Sequence, residues 1–218
     1  MNVDGTRDGG LARTGDAGVE MRELRRGDLP AAVEVIARGM RDNPVHLAAY
    51  GTDPDRRLRY HARLVRALLE AMPTTHVVGA TQHGTLVAVA ATAPAGACQP
   101  RPRQRLRMLP HLAHLDPRTA VRVYTWISAW AGRDLAEAHV HLGPVAVDAS
   151  LQGQGFGTIL LREHCRRLDE TGQTGYLETD KPANVVFYRR FGYDVVGEAD
   201  VIGVPTWFMR RPATGIPH

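Results

Sequence analysis

Only two cysteines occur in 218 residues, Cys98 and Cys165, far apart and in no metal or redox spacing. A disulfide framework is therefore not the organising principle, and a cytoplasmic location is the expectation. Aromatic residues make up 6% of the chain and no nucleic-acid-binding module is recognisable. The net charge of +4 accordingly points to an anionic ligand rather than to nucleic acid. No apolar run reaches the ~18 residues that span a bilayer, and no signal-peptide core follows the N-terminus, so no membrane partner is expected. Internal repeats are also lacking. What remains is a composition, 44% hydrophobic and 23% charged, ordinary for a soluble globular protein with one full core.

Residues 1–18 contain five glycines and almost no apolar periodicity, and read as a disordered tail. Residues 212–218 read as a C-terminal tail. Between them, 19–211 reads as a single domain. VEMRELR alternates as a strand; Asp28 can cap a following helix with Pro30 in its first turn. A second helix is predicted over 54–71, then strands THVVGAT and TLVAVAATA joined by Gln82-His83-Gly84. Residues 94–118, rich in proline and arginine, read as a solvated connector with a short helix, before an aromatic helix at 117–131. A strand, HVHLGPVAVD, then a helix at 156–171, strand GYLETD, a short helix at 182–191 and two closing strands complete an α/β order with a mixed sheet.

The stretch LQGQGFGT lies between that strand and the 156–171 helix, with three glycines in five residues. Strand, glycine loop and helix N-terminus together make an anion site, because successive backbone N–H groups and the helix dipole face the same ligand. The spacing fits neither the dinucleotide fingerprint nor a Walker A loop. His139 and His141 alternate with Val140 and share a face of their strand. His139-x-His141 or His111-x-x-His114 would need further metal ligands that the sequence does not cluster, so no metal is expected.

Gln152-x-x-Gly155-x-Gly157 resembles the Q/R-x-x-G-x-G/A loop of the GNAT N-acetyltransferase superfamily, and Asn184-x-x-Phe187-Tyr188, ending in Gly192-Tyr193, resembles its later N-x-x-F-Y segment. The closing W-F-M-R looks closest to the puromycin-acetyltransferase-like branch. The resemblance implies a mixed, mostly antiparallel twisted sheet flanked by helices. In it a bulged central strand is splayed to receive acetyl-CoA, and 94–138 is a helical insertion before that strand. It implies an acetyl-CoA-dependent N-acetyltransferase, moving the acetyl group directly to a primary amine. The acceptor would be a small molecule, with a peptide or protein amine, or a non-catalytic acetyl-CoA sensor, as alternatives. Cofactor binding would fall to Val145, Ala146 and Val147 on the strand, to Gln152, Gly153, Gln154, Gly155, Phe156, Gly157 and Thr158 in the loop, and to Asn184 and Tyr188. Tyr188 would protonate the departing thiolate. The base stays open between His141 and Glu178, and His141 could equally serve only hydrogen bonding within the fold. Gly143-Pro144 fits either the bulge or an edge strand. Tyr124, Trp126 and Trp130 could wall an acceptor pocket or fill the core. A homodimer is compatible with all of this.

Overall fold

The computed structural model describes residues 18–214; residues 1–17 of the expected N-terminal tail and 215–218 of the expected C-terminal tail lie outside the described residues. One seven-stranded sheet runs through the chain in the order β1-β2-β3-β4-β5-β7-β6. Its strands are β1 Val19–Glu23, β2 His76–Gln82, β3 Thr85–Ala93, β4 His139–Val147, β5 Thr174–Thr179, β6 Asp194–Val201 and β7 Val204–Arg211. Only the β4–β5 pair is parallel. The helices are α1 Leu29–Met40, α2 Pro44–Tyr50, α3 Pro54–Ala71, α4 Pro102–Leu112, α5 Pro117–Ala131, α6 Phe156–Thr171 and α7 Pro182–Arg189.

Alternation along β2 and β3 builds a layer on each face of the sheet. Val78, Ala80, Ala88 and Ala90 face α6, where Leu160 and Leu161 are buried with them. Val77, Val89 and Ala91 face the other way, against Val33 and Ile36 of α1 and Val65 and Leu69 of α3. A third apolar cluster joins α2, α3, α4 and α5 through Val45, Tyr50, Leu64, Met108, Val123 and Trp126.

Local chemistry sets the element ends. Asp53 accepts from the N–H groups of Asp55 and Arg56 ahead of Pro54, which starts α3; Asp116 does the same for Thr119 ahead of Pro117 in α5. The β2–β3 connection places both His83 and Gly84 at positive φ, a two-residue turn whose twist matches the strands. Asp28 does not cap α1 with its side chain. Its carboxylate instead accepts from the Arg22 guanidinium at 2.6 and 2.8 Å and from the Arg25 N–H at 2.8 Å. Two helices exceed the expectation from sequence. The heptapeptide PVHLAAY forms α2 behind Asn43, and 102–112 forms a full α4 that buries Met108 against the third cluster.

β4 is interior, so Pro144 does not mark an edge strand. The pairing of β4 with β3 runs from Ala93↔His141 to Ala88↔Val147, with an irregularity between Ala90 and Thr92. Its pairing with β5 stops early: only His139, Val140 and His141 face Thr174, Gly175 and Tyr176. From Leu142 onward β4 stays with β3, while Leu177, Glu178 and Thr179 pair with β7. A notch opens in the sheet between these two halves.

Candidate active site

The notch is flanked at its outer end by the glycine loop. Gly153 and Gly155 sit at φ +81° and +92°, a backbone region that strains any residue with a Cβ. Neither glycine has a neighbour within 4 Å of where a Cβ would stand, so it is conformation rather than internal packing that demands them. The first hydrogen bond of α6 runs from Ile159 N–H to the Gly155 carbonyl at 3.2 Å. The N–H groups of Phe156, Gly157 and Thr158 are thereby left at the helix mouth. The Gln152 side chain is occupied elsewhere: its Nε2 donates to the Gly39 carbonyl at 2.9 Å and to that of Val147 at 3.3 Å, tying α1 and β4 to the loop. Gly39 is required by close approach, because a Cβ there would run into the Val147 carbonyl and the Ala146 side chain.

At the inner end a cavity of about 250 Å³ lies between the notch and the helices of the third cluster. Val145, His141, Glu178, Asp180, Asn184 and Tyr188 all line it. Tyr188 is buried, with its ring against Phe187 and Tyr193. Burial pushes its phenol well above the usual tyrosine range, with the Asp180 charge adding to the effect. Asn184, one helical turn earlier, donates from Nδ2 to Thr179 Oγ1 at 3.1 Å, which fixes α7 to the end of β5. Asp180 accepts from Val45 N–H at 2.7 Å; burial raises its carboxyl. Its position had no motif to reveal it.

His139 and His141 do share a face, with ring centroids 6.4 Å apart. His141 Nε2 lies 2.9 Å from Glu178 Oε2, and its Nδ1 lies 3.6 Å from Asp134 Oδ1. Desolvation works against a charge on His141, yet Glu178 and Asp134 outweigh it and hold the imidazolium well above the ordinary histidine range. Cys98 approaches from the loop after β3, its Sγ 3.4 Å from His139 Nε2. Burial alone would raise this thiol; the two histidines pull it down to about 7. The sequence clusters no ligand beside His139-x-His141, but the fold brings Cys98 and Asp134 to it. His111 instead meets Glu70 at 3.2 Å.

The opposite wall of the cavity comes from α3, α4 and α5, including Leu64, Leu68, Met108, Trp126 and Trp130. The two tryptophans meet edge to face at 5.3 Å. Tyr124 is not part of this wall and is exposed. Arg166 and Arg167 on α6 are both engaged by Glu163, with Glu170 a further partner of Arg166 and Glu23 of Arg167. Arg190 stacks over Phe187 at 5.1 Å. Cys165 is buried, its thiol raised to about 11 by desolvation.

Similarity to known proteins falls on the same parts. Residues 119–195, which hold β4, the glycine loop and the Asn184–Tyr188 turn, match the acetyltransferase (GNAT) domain. A structure of histone acetyltransferase HPA2 and related acetyltransferase from Corynebacterium glutamicum superposes with a TM-score of 0.67 at 18% identity, covering 91% of this chain and 98% of that one. The ribosomal-protein-S18-alanine N-acetyltransferase of Escherichia coli gives 0.55 at 17%, with 92% and 97% covered. A GNAT family acetyltransferase from Brucella melitensis, in complex with acetyl-CoA, gives 0.53 at 19%, with 93% of each chain covered. Among the described residues no helix is long and apolar enough to cross a membrane. The architecture is the GNAT fold, and within it residues 119–195 match the GNAT acetyltransferase domain.

Proposed function

We propose that the protein transfers the acetyl group of acetyl-CoA to a primary amine of a small molecule, without an acyl-enzyme intermediate. The observation that carries this reading is the notch: β4 leaves β5 after His141, and the groups acyl transfer needs line the space this opens. In this reading the pyrophosphate sits on the N–H groups of Gln152 to Thr158, where helix dipole and bare glycine backbone favour it. The pantetheine arm lies along Val145, Ala146 and Val147, and Asn184 faces it from α7. The Val145 N–H polarises the thioester carbonyl. Tyr188, kept protonated by burial, gives its proton to the departing thiolate.

The base is better assigned to Glu178 than to His141. An imidazole held cationic between two carboxylates has no lone pair to offer an ammonium group. The Glu178 carboxylate takes the amine proton, and His141 positions it through the 2.9 Å contact. A small acceptor is favoured over a peptide because α4 and α5 close an apolar wall of modest volume over the reacting end. Of the finer branches, the puromycin-acetyltransferase-like one remains our preferred placement, on LET, the Asn184–Tyr188 segment and the closing W-F-M-R alone.

The test is to incubate the protein with acetyl-CoA and a panel of small amines and peptides, following free thiol and acetylated product together. Product with small amines supports the reading. Product with peptides alone moves the acceptor to a polypeptide, and acetyl-CoA binding without thiol release makes the protein a sensor.

A further inference from the structure

The cluster beside the reacting groups holds more ligating atoms than acyl transfer uses. Cys98, His139 and His141 each bring one donor atom within 4.8 Å of the others, and Asp134, His141 and Glu178 do the same. Asp134 Oδ1 and His141 Nδ1 are both buried and, among the described residues, have no hydrogen-bond partner. Buried polar atoms are seldom left so, because each forfeits its hydration without return.

The outward sides of His139, His141 and Asp134 are already held. His139 donates from Nδ1 to the Glu137 carbonyl at 2.9 Å, which leaves its Nε2 lone pair facing Cys98 Sγ. His141 donates from Nε2 to Glu178 at 2.9 Å, which directs Nδ1 at Asp134. Gln99 Nε2 holds Asp134 Oδ2 at 2.6 Å, leaving Oδ1 turned inward. A carboxylate or carbonyl behind each histidine is the arrangement that orients imidazoles on a metal. Zinc bonds of ~2.0–2.3 Å at tetrahedral angles set ligand atoms about 3.3–3.6 Å apart. The separations are 3.4 Å for Cys98 to His139, 3.6 Å for His141 to Asp134 and 3.9 Å for His139 to Asp134. The two groups, which share His141, would be drawn together by the ion.

We propose that Cys98 Sγ, Asp134 Oδ1, His139 Nε2 and His141 Nδ1 form a closed, tetrahedral zinc site that fastens both ends of the 94–138 insertion to β4. One thiolate, two imidazoles and one carboxylate suit Zn²⁺ among the common divalent ions. Four protein ligands leave no open position, so the ion shapes the cavity wall and takes no part in acetyl transfer. Binding releases the Cys98 thiol proton and the His141 Nδ1 proton to solvent, and the Nε2–H stays on His141, donating to Glu178. With Nδ1 taken by the ion, His141 still has no lone pair for an acceptor amine. The site therefore stands or falls independently of the acetyltransferase reading.

Cobalt(II) titration of the full-length protein after chelator treatment tests it. The expected result is saturation at one ion per chain, with the visible bands of a tetrahedral site and a near-ultraviolet thiolate charge-transfer band. Zn²⁺ should displace the cobalt. Cys98→Ser should abolish the charge-transfer band, and Asp134→Asn should weaken binding by ~10-fold or more. Far-ultraviolet circular dichroism of each variant shows whether it has folded. No saturable binding to the folded wild-type protein, an octahedral spectrum, or a spectrum unchanged by both folded variants would overturn the proposal.

Discussion

Tyr188 and Glu178 line one cavity from different elements, and in the proposed mechanism they take opposite duties. Burial keeps the phenol protonated far beyond neutral pH, which suits a donor and excludes a base. Tyr188→Phe should keep acetyl-CoA affinity while turnover falls by about 10²–10⁴-fold. Alkaline conditions should not restore it, since thiolate departure needs a proton. Full activity of the variant, measured by thiol release from pH 6 to 10, would move the acid role to another group. These two residues were legible in the sequence because each lies within or beside a motif. Asp180, Asp134 and Cys98 were not: each sits in a loop, and only the folded sheet brings Cys98 and Asp134 to His139 and His141.

Elements whose ends carry strong local chemistry coincide with their expected bounds. Asp53-Pro54 and Asp116-Pro117 start α3 and α5, while Gly155 and Gly172, at φ +92° and +59°, bracket α6. The short α2 was missed because its seven residues span too few turns to show a period, and the third apolar cluster, not propensity, holds it. The splaying of β4 was an expectation from family resemblance; it is now visible as the loss of β5 pairing after His141. Two glycines test how the neighbouring elements depend on it. Gly39→Ala should cost about 1–3 kcal/mol, since its Cβ meets β4 backbone that cannot rotate away. Gly155→Ala has open space around its Cβ, so its stability cost, about 1–2 kcal/mol, should come from the left-handed φ alone. If Gly155 also serves phosphate approach, acetyl-CoA affinity falls too. A lowered denaturant midpoint with unchanged affinity would assign this glycine to the turn only.

At the scale of the whole molecule, stability should depend on buried neutral histidines. His46 donates from Nδ1 to the Met40 carbonyl at 2.6 Å, packs against His61 and lies near Lys181 and Arg57. His164 contacts the Tyr193 hydroxyl at 2.7 Å. Burial holds both at about 4, with nearby cations adding to the effect. The unfolded chain takes up these protons near pH ~6.5, so it binds more protons than the folded state between there and about 4. Stability should therefore be full above that upper limit and fall as the solution is acidified through the window, by up to about 3 kcal/mol per histidine. Urea unfolding from pH 7.5 to 4.5 reads the slope, and His46→Gln, which keeps a donor for Met40, should flatten it. An unchanged slope in that variant would show that His46 does not drive the acid sensitivity.

In the proposed reading one acetyl-CoA molecule spans the loop, the notch and the cavity, from the helix mouth of α6 to Tyr188, across segments distant in the chain. Backbone hydrogen exchange with and without acetyl-CoA reads that path along the whole chain at once. Ligand should slow exchange in 145–147 and 152–158, with a smaller effect at 184–188, and leave β1, β6 and the outer face of α3 unchanged. Protection elsewhere, or none at saturating acetyl-CoA, would contradict the assignment of this notch as the acetyl-CoA seat.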